Sequence, residues 1–382
     1  MRRAFLFVLP MLSSLLLSSF LAATPSYSQT AEAHKPLRVG IVGLVHGHVH
    51  GFLEQSRNSP EIQIVGIAEP DKELEAKYAA QYGFDRGLLF SDLEEMLVKA
   101  HPQAVLVYTD TYDHRRVVEI CGRHGVHVMM EKPLAVSLED ALAMQKAARE
   151  SHIQVLVNYE TSWYASNHAA YALVRAKSIG DVRKVVVHDG HNGPKEINVE
   201  PEFLAWLTDP KLDGGGALFD FGCYGADLMT WLMNGERPQS VTAVTQHLKP
   251  DIYPRVDDEA TIILTYPRAQ AIVQASWNWP FSRKDMEVYG ENGYVITVKA
   301  DKVRLRRAGN GVREDSQEEI VAVKPLEYPN ANPLSYVRSV IMDGAQPDPL
   351  SALDTNVTVV EILDAARRSA ASGKAVRLPA SR

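Results

Sequence analysis

Cysteine is scarce in this chain: 382 residues carry two, Cys121 and Cys223, too few for a disulfide framework. Cys121 falls in a helical pattern and Cys223 in a glycine-rich one, so both are expected to be buried free thiols. Excess basic charge is also missing. Forty Lys and Arg stand against 47 Asp and Glu, a formal charge of −7, which argues against nucleic acid or an anionic membrane surface as the partner. Beyond Ala23 no long apolar run occurs, so no permanent membrane span is expected in the mature chain. What is present, 46% hydrophobic and 23% charged residues, describes a soluble globular protein long enough for two cores.

The first residues stand apart from that composition. Met1-Arg2-Arg3 is basic, Ala4 to Ala23 is apolar and serine-rich, and Thr24 to Gln29 is small and polar. This is the layout of an export signal, with cleavage near Ser28; its loss takes the charge from −7 to −9. Arg2-Arg3-Ala4-Phe5-Leu6 also fits the core of a twin-arginine signal. That route carries folded cargo together with whatever the fold has bound. The general secretory route would deliver it empty.

From Arg38 the pattern alternates strand, glycine turn and helix. Strands are expected at 38–44, 62–68, 104–108, 126–131 and 153–158, with helices at 72–82, 114–124 and 137–150. The repetition predicts a doubly wound parallel sheet, a Rossmann-type α/β region over residues 36–157. At its first turn, Gly40-Ile41-Val42-Gly43-Leu44-Val45-His46-Gly47-His48 is an imperfect phosphate-binding loop. Counting from Gly43, Val45 and His48 stand where the fingerprint has glycines, and Gly47 partly compensates. Glu69 ends the second strand at the spacing of a carboxylate that binds a ribose 2′-hydroxyl; it repels a 2′-phosphate, so NAD is preferred over NADP. His46, His48 and His50 alternate, but no cysteine or acid adjoins them in sequence; no metal is expected, and they are read as loop and helix-start residues near the cofactor, His46 and His48 among its contacts.

The fifth strand ends in Glu131-Lys132-Pro133, at the sheet edge where open α/β folds bind ligands. A lysine there can exchange a proton with a substrate hydroxyl, the more readily if burial lowers its pKa. Pro133 is a candidate for a cis peptide bond.

After residue 158 the texture changes to longer β-rich segments at 182–188, 240–247, 260–266, 271–277, 285–289 and 294–298. A second, α+β region with a large, mostly antiparallel open sheet is predicted over 158–380. Such a sheet needs cover on both faces, which a homo-oligomer would supply. Before most of these strands, Asp213-Gly214-Gly215-Gly216 leads into a predicted helix on which Asp220, Tyr224 and Asp227 share one face. Asp220 and Tyr224 can act with Lys132 on one hydroxyl. Aromatic residues between the two regions, Trp163 and Tyr164 and the run from Glu202 to Trp206, suit a sugar-binding cleft and core packing equally well.

Gly40 to His50, the Glu131-Lys132-Pro133 triplet and Gly214 to Asp227, in this order, resemble the Gfo/Idh/MocA family of oxidoreductases (glucose-fructose oxidoreductase, inositol dehydrogenase, rhizopine catabolism). The likeness runs from about Arg38 to Leu378. It implies an N-terminal Rossmann domain, a C-terminal open-sheet domain, and a nicotinamide dinucleotide between them with its ring near Lys132, Glu131 lying on the cofactor side. Asp220 matches the family's catalytic aspartate. Tyr224 stands where many members have histidine and where the glucose-fructose oxidoreductase and dihydrodiol dehydrogenase branches have tyrosine. Ser162 stands where many carry arginine, so substrate contacts do not transfer there.

The expectation is therefore an exported, periplasmic oxidoreductase moving hydride between nicotinamide and a sugar-type alcohol or carbonyl. Two alternatives remain open at this level. An NAD-dependent glycoside hydrolase would work by transient oxidation and elimination, recycling its cofactor with no net absorbance change. A non-catalytic nucleotide- or sugar-binding homologue would turn nothing over.

Overall fold

The structure, a computed structural model, describes residues 35–308 and 316–379; the expected export signal lies outside them. From Lys35 onward the chain forms one compact unit built on two sheets.

The first sheet has six strands, β1 (Leu37–Val42), β2 (Ile62–Ala68), β3 (Leu89–Phe90), β4 (Ala104–Val107), β5 (His127–Glu131) and β6 (Val155–Asn158). Their order is β3-β2-β1-β4-β5-β6, and every pairing is parallel. Strand order reverses between β1 and β4, which opens a crevice at their carboxyl ends. Helices α1 (Val49–Ser56), α2 (Lys72–Tyr82), α3 (Leu93–Ala100), α4 (His114–His124) and α5 (Leu138–Glu150) connect them. The local signals act as expected. The Ser137 hydroxyl accepts the Asp140 N–H at the start of α5 at 3.1 Å, and Gly125 ends α4 in the left-handed conformation. The stretch holding β3 and α3 was not anticipated.

The second half contributes α6 (Ala165–Arg175), β7 (Val182–Gly190), α7 (Pro201–Leu207), α8 (Ala217–Asp220), α9 (Gly222–Leu232), β8 (Ser240–Gln246), β9 (Glu259–Thr265), β10 (Gln270–Ser276), β11 (Arg283–Gly290), β12 (Gly293–Val298), β13 (Lys302–Arg307), β14 (Glu319–Ala322), α10 (Pro333–Met342), α11 (Leu353–Ser372) and β15 (Val376–Arg377). Its nine strands run β14-β13-β12-β11-β7-β10-β9-β8-β15, all antiparallel except the β7–β10 pair. Helices α9 and α11 pack on β7, β8 and β10, burying alternate residues such as Ala260, Ile262 and Leu264 of β9. No helix among the described residues is long and apolar enough to cross a membrane.

Two features depart from the sequence expectation. The helix expected to carry Asp220, Tyr224 and Asp227 on one face is broken at Phe221, so Asp220 ends α8 while Tyr224 and Asp227 lie in α9. Helix α10, from the far end of the chain, packs on the first sheet: Leu334, Tyr336, Val337 and Val340 share a core with Leu37, Val39 and Ile41 of β1.

Candidate active site

The loop after β1 is fixed by close backbone approach. Gly43 adopts φ +77°, and a β-carbon there would lie 2.6 Å from Thr109 Cγ2 and 2.9 Å from the Thr109 backbone, so only glycine fits. Its N–H donates to Ala68 O at 2.9 Å, and that of His46 to Tyr108 O at 3.1 Å. A groove of about 710 Å³ opens beside it at the ends of β1, β2 and β4, lined by Gly43, Val45, Glu69, Asp110 and Arg116. Glu69 is buried, and its carboxylate accepts the N–H groups of Leu44 at 2.8 Å and Asp71 at 2.9 Å. Burial raises its pKa in spite of those two donors.

Helix α7 packs over this loop. The Val45 carbonyl accepts Trp206 Nε1–H at 3.2 Å, and the Phe203 ring lies 4.6 Å from that of His46. A β-carbon on Gly47 would meet Phe203 at 3.0 Å. The crevice and the glycine-only turn fit a dinucleotide at the switch point.

Glu131 is delivered by β5 to the same end. Its Oε2 lies 2.9 Å from His48 Nδ1, and its Oε1 accepts Asn158 Nδ2–H at 2.8 Å; Asn158 in turn accepts Trp163 Nε1–H at 3.0 Å. Burial alone would raise the Glu131 pKa, yet His48, Asn158 and Lys132 hold it low. His46 is buried and its pKa falls well below the ordinary value, through desolvation first and then the charges of His48 and Lys132. An acid therefore does adjoin the histidines in space: ligand atoms of His46, His48 and Glu131 lie within 4.8 Å of one another, although Glu131 is already held by two side chains. His50 turns away, bonding Tyr78 at 2.9 Å and Tyr82 at 2.6 Å.

Lys132 is 5% exposed, and its peptide bond to Pro133 is cis. The ammonium donates to the Asp220 carbonyl at 3.0 Å and to Asp220 Oδ1. Asp220 Oδ2 accepts Trp277 Nε1–H at 2.9 Å. The break between α8 and α9 turns this carbonyl and carboxylate toward one amine. Desolvation pulls the Lys132 pKa down, but the Asp220 carboxylate outweighs it and the net shift is upward, the opposite of the lowered value envisaged from sequence. Asp220 is held low by the reciprocal attraction, burial opposing it. The Tyr224 ring centroid lies 5.2 Å from Lys132 Nζ; Tyr224 is buried, and burial first among causes raises its pKa. Lys132, Asp220 and Tyr224 line one cleft of about 970 Å³, solvent at its mouth included, together with His48, His191 and Lys284.

Lys284 escaped the sequence reading. It lies on β11 in an Arg-Lys-Asp run that looks like a solvated face, yet its side chain is only 18% exposed. Its ammonium donates to Glu160 Oε2 and stands 4.8 Å from the Tyr224 ring centroid. Asp189, its cross-strand partner on β7, is buried with no hydrogen-bond partner for either oxygen among the described residues, and desolvation pushes its pKa up, against the opposing charge of Lys284. The two aromatics nominated for substrate do not line this cleft. Tyr164 donates its hydroxyl to Glu160, and Trp163 lines a neighbouring groove with Gly47, Phe52 and Pro333, 5.4 Å from Tyr336.

Residues 37–159 match the family described as oxidoreductase family, NAD-binding Rossmann fold, and residues 167–296 match the GFO/IDH/MocA C-terminal domain. Trans-1,2-dihydrobenzene-1,2-diol dehydrogenase of Xenopus tropicalis is 26% identical over 309 residues, 80% of this chain and 88% of that protein. Among solved structures, aldose-aldose oxidoreductase from Caulobacter crescentus complexed with glycerol superposes with a TM-score of 0.75 at 24% identity, covering 90% of this chain and all of that one (100%). An inositol dehydrogenase homologue complexed with NAD+ from Azotobacter vinelandii gives 0.76 at 19% identity, covering 91% and 98%. At these identities the structural likeness establishes the fold.

Proposed function

The chain belongs to the Gfo/Idh/MocA oxidoreductase family with an NAD-binding Rossmann fold, and on that premise we propose that it is an exported enzyme oxidising or reducing a carbinol of a sugar-type substrate. The observation that carries this reading is the buried Lys132–Asp220 pair at the carboxyl end of β5, with Tyr224 against it in one cleft. A relative named for a dihydrodiol and a structural neighbour named for aldoses support the substrate class. NAD is favoured over NADP because Glu69, Asp110 and Asp113 line the groove where a 2′-phosphate would need cations, and Arg116 is bonded to Asp113 at 2.8 Å.

The dinucleotide would be held by the Gly43 to His48 loop and Glu69, and when bound it supplies the hydride chemistry. The protein's own residues handle the proton. Lys132, kept as an ammonium by Asp220, donates a hydrogen bond to the reacting oxygen and can pass it a proton as charge develops. Asp220 fixes the amine with two acceptors, its carbonyl and one carboxylate oxygen, while Trp277 fixes Asp220. Tyr224 keeps its phenolic proton, since burial raises its pKa, and serves as a second donor. The face of the nine-stranded sheet away from α9 and α11, bearing Thr261 and Ile263, is the surface we propose a second copy covers.

Lys132→Met tests the assignment. Turnover of a sugar with net NADH formation should fall by roughly 10²–10⁴-fold, the usual worth of a positioned acid or base, while dinucleotide still binds. Unchanged turnover would reject the role of Lys132. Glycoside cleavage without net NADH would identify the hydrolase, and a wild-type protein that binds no dinucleotide would identify a non-catalytic homologue.

A further inference from the structure

Three metal-ligand side chains converge here although the sequence keeps them apart. His46 and His48 come from the loop after β1 and Glu131 from the end of β5, and one ligand atom from each lies within 4.8 Å of the other two. His46 and Glu131 are buried, whereas the His48 side chain is 45% exposed. It lines both the cleft and the neighbouring groove, so an ion in solution can reach the group.

The separations suit a metal. Bonds of about 2.1 Å to imidazole nitrogen and carboxylate oxygen set neighbouring ligand atoms about 3.0 Å apart at right angles and about 3.4 Å apart at tetrahedral angles. His48 Nδ1 and Glu131 Oε2 already stand 2.9 Å apart, so an ion can replace the proton between them with little movement. The remaining gap closes by a side-chain shift of roughly 1 Å. His46 Nδ1 carries an unprotonated lone pair, since it accepts the His48 N–H at 3.2 Å, the long end of the hydrogen-bond range. Its ring is packed against Phe203 and Trp206, 4.6 and 5.5 Å away. Glu131 is aimed from behind: Asn158 donates to its Oε1 at 2.8 Å and Trp163 to Asn158 at 3.0 Å, the kind of support that orients a ligating carboxylate. Calcium and magnesium take oxygen ligands, whereas two nitrogens and one oxygen suit zinc, cobalt(II) or nickel(II).

We propose that His46, His48 and Glu131 form a site for a divalent transition ion of the zinc class, and that this ion and the dinucleotide exclude each other. The exclusion rests on the reading above, which gives the Gly43 to His48 loop to the cofactor; the site itself does not. Free zinc is then an inhibitor competing with the dinucleotide and takes no part in hydride transfer.

Cobalt(II), which takes the same ligands and absorbs in the visible, tests this by spectroscopic titration of the untagged full-length protein. The wild type should bind one ion saturably. His46→Gln, His48→Gln and Glu131→Gln should each weaken cobalt by more than the roughly 10–100-fold expected of Asn158→Leu, which loses only the support of Glu131. His48 is half-exposed, so its variant keeps the test decisive if those at the buried positions fail to fold. His50 bonds Tyr78 and Tyr82 instead, and His50→Gln should bind cobalt like the wild type. NAD at ten times its dissociation constant should weaken cobalt about tenfold. No saturable cobalt binding, or binding undiminished in His48→Gln, would overturn the site. Simultaneous binding of cobalt and NAD at unchanged affinities would overturn the exclusion. A wild type that binds cobalt but no dinucleotide would refute the cofactor reading, and the exclusion with it, while the site stands.

Discussion

Asp220→Asn puts the central pair under the most direct strain. Lys132 and Asp220 have side chains 6% and 7% exposed, so replacing the carboxylate by an amide leaves an ammonium buried without its counter-charge. Breaking a buried pair from one side costs about 3–5 kcal/mol, roughly a 5–10 °C fall in melting temperature for a chain of this size. The amide oxygen can still accept from Trp277, but its NH₂ then confronts the amine. Once Asp220 no longer holds the Lys132 pKa up, desolvation, the largest influence on it, pulls it below the ordinary lysine value. In the wild type, the folded pKa of Lys132 is raised. The pair's stabilisation is therefore complete below the unfolded lysine value near 10.4 and fades only as pH climbs through the higher folded one. From the acid side, Asp220 has a lowered folded pKa, so its share is present above about 3.9 and is lost as pH falls through the folded value. Between those limits wild-type stability and carbonyl reduction should be flat with respect to this pair. In Asp220→Asn, reduction should decline as pH rises across the neutral to mildly alkaline range, because the amine has lost its proton. Differential scanning calorimetry and pH–rate profiles read both effects, and Lys132→Met combined with Asp220→Asn should recover much of the lost stability. Equal melting temperatures for wild type and Asp220→Asn, or a variant as pH-independent as the wild type, would refute the buried-pair account.

Two further outcomes test other parts of the structure. Gly43→Ala should abolish dinucleotide binding and cost on the order of 1–3 kcal/mol, since φ +77° and the 2.6 Å approach to Thr109 leave no room; calorimetric titration with NAD and thermal melting check it, and tight binding by the variant would sink the glycine argument. Cys121 and Cys223 are both fully buried, and burial pushes the Cys121 thiol up to about 12. Neither should react with iodoacetamide until the protein unfolds, as mass spectrometry of the alkylated protein would show; rapid labelling of the native state would contradict the packing.

The parallel sheet could be read from the chain because its strands are short apolar runs, such as 104–107 and 127–131, and helices α2 and α5 carry their own side-chain N-caps, Asp71 and Ser137. Lys132 and Asp220 were legible for a related reason: one ends a strand and the other follows a glycine triplet, positions where local chain geometry fixes a side chain. Strand β13, Lys-Val-Arg-Leu-Arg-Arg, was missed because charges dominate its exposed face and mask the alternation of Val303 and Leu305. Lys284 was missed similarly, its burial coming from Glu160, Tyr224 and Phe221, which are remote in sequence. The Glu131–His48 contact joins residues 83 apart, and no local pattern records it. The break at Phe221 was hidden because residues 217–227 continue an acceptable helical spacing on both sides of it.

Helix α10 sets the order in which this protein can be completed. Its apolar residues sit in the core beneath β1, so the nucleotide-binding lobe is unfinished until residues near 340 have left the ribosome. Almost the whole polypeptide must be synthesised before that core is closed. A fragment ending at the first lobe would therefore expose the greasy patch that α10 normally shields.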